Sequence, residues 1–103
     1  ATSCVVSSRR FKENIRRLSP VTAKSLVGRL QPSTFNYRNG GRTAFGLIAE
    51  EVDSVDARLV TRDGAGRVNA VNYEQVTVLL LAEVKALRKT VDSLNYVVRN
   101  KLR

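Results

Sequence analysis

Ser7 lies five residues before Lys12, in a chain with no histidine and a single cysteine. If covalent chemistry occurs here, a Ser/Lys pair is the most economical apparatus. A serine hydroxyl is a weak nucleophile until a base sits within hydrogen-bond reach. Lysine serves as that base when desolvation or nearby positive charge favours its neutral form. The stretch Ser7-Ser8-Arg9-Arg10-Phe11-Lys12-Glu13-Asn14-Ile15 offers both. Arg9 and Arg10 bring charge, and Phe11 and Ile15 offer apolar cover. Ser8 is a second candidate nucleophile, four residues from Lys12. The structural alternative is a serine cap on a short helix with a solvated basic face. Phe11 stands where a capping box would place Glu or Gln, so no capping box supports that alternative.

Other chemistries lack their residues. Zinc sites draw on His and Cys ligands that this chain does not supply, and no metal or cofactor is expected. Asn39-Gly40-Gly41-Arg42 and Asp63-Gly64-Ala65-Gly66 read as turns and not as phosphate loops. Glu50, Glu51 and Asp53 form an acidic cluster on a short helix, read as a solvated face. Cys4 alone excludes an intrachain disulfide. No apolar run reaches the roughly 18 residues of a membrane span, and no signal peptide is read at the N-terminus. The chain begins with Ala and contains no Met, so it reads as part of a longer polypeptide.

The elements that must position these residues fit one small domain of 103 residues. The apolar fraction of 43% suits a folded chain. The net charge of +9, from 18 basic and 9 acidic side chains, favours acidic partners. The basic residues are scattered and do not form the continuous strip of a basic zipper, so nucleic acid is disfavoured. Residues 1–8 read as an extended lead-in, on Thr2, Cys4, Val5 and Val6. Ser19-Pro20 starts a helix with Ala23, Leu26, Val27 and Leu30 on one face, and Pro32 ends it. Thr34 to Arg38, a turn at Asn39-Gly40-Gly41, and Thr43 to Gly46 predict a hairpin. Leu47 to Val52 reads as a short helix with Leu47, Ile48 and Val52 inward. Arg58 to Thr61 and Arg67 to Val71 predict a second hairpin about the Asp63-Gly64 turn.

From Asn72, with Gln75 three residues on, the chain reads as one long helix opened by a capping box. Thr77, Val84, Val91 and Val98 occupy heptad position a. Tyr73, Leu80, Leu87 and Leu94 occupy d. About four such repeats predict a coiled coil. Glu83 at g and Arg88 at the following e would pair between parallel chains. Val at a with Leu at d suits two strands, so the heptad alone does not specify three. Val76, Val78, Leu79 and Leu81 make the first half of the helix apolar nearly all round, as if it also packs on the chain's own hairpins.

The order of these signals resembles a known family. Ser-x-x-Arg-x-Lys-x-x-Ile at Ser7 to Ile15 comes first. A Tyr-turn-Gly-Leu-Ile-Ala-x-Glu-Val block from Tyr37 to Val52 follows, and a Val-x-Tyr block then leads from Val71 into the long helix. Together they resemble the intramolecular chaperone auto-processing domain at the C-termini of phage tailspikes and tail fibres, also found in a membrane-anchored myelin transcription factor. Two positions depart from the family pattern. Ser8 stands where an aspartate is usual, and Ala49-Glu50-Glu51 replaces an Ala-Gln-Glu block.

The resemblance implies an α+β fold of short hairpins and small helices. A long C-terminal helix, about 72–103, would form a trimeric coiled coil. Residues 1–6 would be the lead-in and 7–103 the chaperone domain. It further implies a homotrimer that helps an upstream β-rich fibre or spike assemble. The domain would then release itself by cutting Val6–Ser7, with Ser7 as nucleophile and Lys12 as base, and Ser8, Arg10 and Glu50 as supporting residues. The setting it implies is a virion tail precursor in the host cytoplasm, without membrane or cofactor. A non-cleaving assembly module is the alternative, and a basic nucleic-acid-binding coiled coil a more distant one.

Overall fold

The structure, a computed structural model, describes residues 6–102. The extended lead-in expected at Thr2, Cys4 and Val5 falls outside those residues. The fold is α+β: two separate two-stranded antiparallel hairpins, two short helices and one long C-terminal helix.

Helix α1, Pro20–Arg29, forms as its start signal dictates. The Ser19 hydroxyl accepts from the Val21 N–H at 3.2 Å, and Pro20 occupies the first turn, where its missing donor costs nothing. Its inward face is the expected one: Ala23 is fully buried, and Leu26, Val27 and Leu30 pack against the core. Strands β1 (Ser33–Asn36) and β2 (Thr43–Gly46) make the first hairpin, pairing Thr34 with Phe45 and Asn36 with Thr43. Helix α2, Ala49–Val55, starts two residues later than the sequence suggests. Leu47 and Ile48 precede it in extended backbone and are half-buried, while Val52 carries the burial.

Strands β3 (Val60–Arg62) and β4 (Val68–Val71) form the second hairpin. The first two residues of the expected strand, Arg58 and Leu59, belong instead to a 3-10 turn, Ala57–Leu59. The Asp56 carboxylate causes this by accepting from the Arg58 backbone N–H at 2.9 Å, a local bond that competes with strand pairing. The same carboxylate takes Arg58 Nε at 3.0 Å and Nη2 at 2.7 Å. These donors, the Arg58 side chain foremost, lower the Asp56 pKa from 3.8 to about 2. A depressed folded-state pKa means the stabilisation is complete above pH 3.8 and is lost as pH falls towards 2. We therefore expect Asp56→Ala to cost about 1 kcal/mol at neutral pH, as loss of a cap does, and to flatten the acid limb of chemical unfolding between pH 4 and 2.

Helix α3, Tyr73–Lys101, is the longest element. Half of its expected capping box forms: Asn72 Oδ1 accepts from the Gln75 N–H at 3.4 Å. The Asn72 N–H is spent elsewhere, donating to the Leu59 carbonyl at 2.8 Å and tying the helix start to the second hairpin. The core is small: Val52, Leu59, Val76 and Leu79, with Leu26, Val27, Leu30, Leu47, Val60 and Val71 against it. Arg29 on the Ser54 carbonyl (3.2 Å) and Arg62 on Asp53 (2.9 Å) tie α2 to its neighbours. No helix among the described residues is long and apolar enough to cross a membrane.

One contact positions the first hairpin against α3. The Leu47 N–H donates to the Tyr73 hydroxyl at 3.0 Å. Gly46 must be glycine for that contact, because a Cβ there would meet the Tyr73 hydroxyl at 2.9 Å and the Phe35 ring at 3.0 Å. Gly46→Ala is expected to cost about 1–3 kcal/mol in urea unfolding, the usual range for overpacking. Tyr73→Phe removes one obstacle and one hydrogen bond. The double variant should therefore be less destabilised than the sum of the two.

Candidate active site

The site residues sit at the N-terminal edge of the described chain. Val6 and Ser7 carry no regular structure, and Arg9–Phe11 forms a single 3-10 turn. The turn closes through Phe11 N–H to the Ser8 carbonyl and Lys12 N–H to the Arg9 carbonyl, both at 3.0 Å. That reversal swings residue 12 back towards residue 7. Lys12 Nζ lies 2.8 Å from Ser7 Oγ, within hydrogen-bond reach. This is the separation at which a base can take a hydroxyl proton.

Ser8 occupies the N-cap of the turn, but its side chain makes no capping bond. The Arg10 guanidinium lies 4.5 Å above the Phe11 ring, a cation–π contact that stiffens the turn. Among the described residues no hydrogen bond joins Glu50 to Ser7 or Lys12; Glu50 is exposed in the first turn of α2. The apolar cover expected from Phe11 and Ile15 is not made within one chain. Phe11 is 59% exposed and Ile15 43%, and both Ser7 and Lys12 face solvent. The reason is local: a one-turn helix has no interior, so its side chains are covered only by another element or another chain.

Two features of the chain carry no clear sequence signal. Asn14 adopts φ +53°, a left-handed conformation that asparagine tolerates better than most residues. The Tyr73–Leu47 bond spans 26 positions and has no local pattern to announce it.

No match to a curated protein was found for the chain. A family model does match. The peptidase S74 model, described as chaperone of endosialidase, covers residues 7–61, just over half of the chain. The match opens on Ser7 and takes in the turn, α1, the first hairpin and α2, and it stops within β3, so the Val71 block and α3 lie outside it. Membership implies an intramolecular chaperone with autoproteolytic serine peptidase chemistry. On this match, over the residues that hold the Ser7–Lys12 contact and the first hairpin, the chain belongs to the peptidase S74, chaperone-of-endosialidase family of intramolecular chaperone auto-processing domains.

Proposed function

We propose that this domain drives trimeric assembly of an upstream phage fibre or spike and then releases itself by cutting Val6–Ser7. The observation that carries the cleavage reading is the 2.8 Å approach of Lys12 Nζ to Ser7 Oγ, at the residue where the family match begins. In the proposed reaction neutral Lys12 takes the Ser7 hydroxyl proton. Ser7 Oγ forms a bond to the Val6 carbonyl carbon, the Val6–Ser7 C–N bond breaks, and the departing Ser7 nitrogen takes up the proton. Water then hydrolyses the Val6 ester, leaving a Val6 carboxylate and a free hydroxyl on Ser7, now the first residue of the released domain. Proximity favours this route, because the nucleophile belongs to the residue whose peptide bond is cut. Each chain turns over once, in the host cytoplasm during virion assembly.

The assembly reading rests on surface. The chain exposes 9025 Å², whereas a compact monomer of its mass exposes about 5,800 Å². Its radius of gyration is 18.2 Å, against about 13 Å for a compact chain of this length. Part of that open surface lies on Val6 to Thr22 and part on α3. Every residue from Leu87 to Lys101 is exposed, including Leu87, Val91, Leu94 and Val98 at heptad positions a and d. A helix with such a stripe needs partner helices. Three strands is the family's expectation, and no membrane partner is proposed.

The test is intact-mass analysis of the domain joined to its natural upstream segment, with sedimentation to give the number of chains. Two fragments meeting at Val6–Ser7 and a three-chain domain are expected. An uncut three-chain species would leave a pure assembly module.

A further inference from the structure

An apolar groove of about 660 Å³ runs between the first hairpin and the first turns of α3. Leu30, Phe45, Leu47, Tyr73, Val76 and Leu80 line it. Phe45 is anomalous there. Strand alternation puts it on the same hairpin face as Thr34, Asn36 and Thr43, and it is 88% exposed. Because Phe45 also lines the groove, its open ring extends a contiguous apolar surface, and it is such a patch that marks a contact site.

We propose that this groove receives helix α3 of a second copy of the chain, with Phe45 closing over Leu81 of that copy. The inference rests on the assembly reading above and adds where the neighbouring helix is held. Three observations point to a second copy as the occupant. First, Tyr73 and Leu80 belong both to the groove wall and to the exposed heptad column, 50% and 44% exposed. A helix packed along that column at the usual 8–10 Å must pass over the groove mouth.

Second, the groove lies on the g side of α3, where Val76 sits, and in a parallel coiled coil the g side of one helix faces the e side of its neighbour. Position e holds Leu81, which is apolar, 60% exposed and no part of the chain's own core. Third, the same step one heptad on pairs Glu83 at g with Arg88 at e, opposite charges that fit the same direction of docking. Val76 is itself held in the chain's own core, so on that side of the helix it is the open Phe45 ring that Leu81 meets, one heptad before the charged Glu83-to-Arg88 step.

The experiment uses the full chain with p-benzoylphenylalanine in place of Phe45. Labelled (15N) and unlabelled copies are unfolded, mixed, refolded together and irradiated. The expected product joins residue 45 to the segment 77–84, with one labelled and one unlabelled peptide. Cross-links confined to one isotopic chain, or reaching the segment ahead of Ser7, overturn the proposal. In parallel, Phe45→Ser and Leu81→Ser should each weaken assembly about tenfold or more. The double variant should be little worse than either, because both remove one contact. Full-strength assembly in both single variants overturns this inference and leaves the assembly reading intact. A wild-type chain that sediments as a monomer at every concentration overturns both.

Discussion

Ser7→Ala, in a chain carrying its upstream segment, is expected to abolish scission at Val6–Ser7 while leaving assembly unchanged. Loss of a covalent nucleophile lowers rate by on the order of 10³ or more, which for a single-turnover cut means no product on the time scale of expression. Ser7 is exposed, and among the described residues its side chain bonds to Lys12 alone, so the alanine has no folding cost to confuse the result. Lys12→Arg is the sharper variant. Arginine keeps the positive charge and can still donate to Ser7 Oγ, but it does not give up a proton in proteins. If Lys12 acts as a base, Lys12→Arg stays uncut like Lys12→Met. If arginine restores cutting, the lysine merely orients the hydroxyl and the base lies elsewhere. Ser8→Ala should cut normally, since Lys12 engages Ser7 and the Ser8 side chain does not cap the turn. An uncut Ser8→Ala chain would move the nucleophile by one residue.

The second large effect concerns α3. Leu87→Lys places a charge at a d position where the side chain is 54% exposed and outside the chain's own core cluster. The isolated fold should therefore keep its helical signal and its unfolding curve. In a trimer the same change removes three leucines from one layer and puts three cations there. At roughly 1.5–3 kcal/mol for each buried leucine, about 5–9 kcal/mol of assembly free energy is lost before repulsion is counted. Sedimentation should show one chain at concentrations where the parent shows three. A parent that sediments as two chains would follow the Val-at-a, Leu-at-d preference and would refute the trimer. A Leu87→Lys chain that still assembles would place the interface elsewhere.

The pattern of right and displaced expectations follows the range of each interaction. The Ser19-Pro20 start, the Asn72 cap and the two glycine-bearing turns depend on neighbours within four residues, and all four can be read in the chain and found in the fold. The inward face of α1 was legible because its apolar residues repeat at helical spacing. Ser7 and Lys12 stand five residues apart, and it is the reversal at Arg9–Phe11 between them that brings the two side chains to 2.8 Å.

Local expectations were displaced where side chain and backbone competed for the same partner. Asp56 converted the start of a strand into a 3-10 turn, and Asn72 gave its N–H to Leu59 in place of the second half of a capping box. Composition and heptad period determined that α3 is a long helix with an apolar stripe. Because the first half of α3 is apolar on several sides, the period could not say which side the chain keeps for itself. The tertiary structure decided that. Packing of α1 and of the 3-10 turn Ala57–Leu59 buries Val76 and Leu79, and leaves Tyr73, Leu80, Leu81 and the lower heptads open. Burial is a sum over residues far apart in sequence, whereas capping and periodicity are set by residues close together.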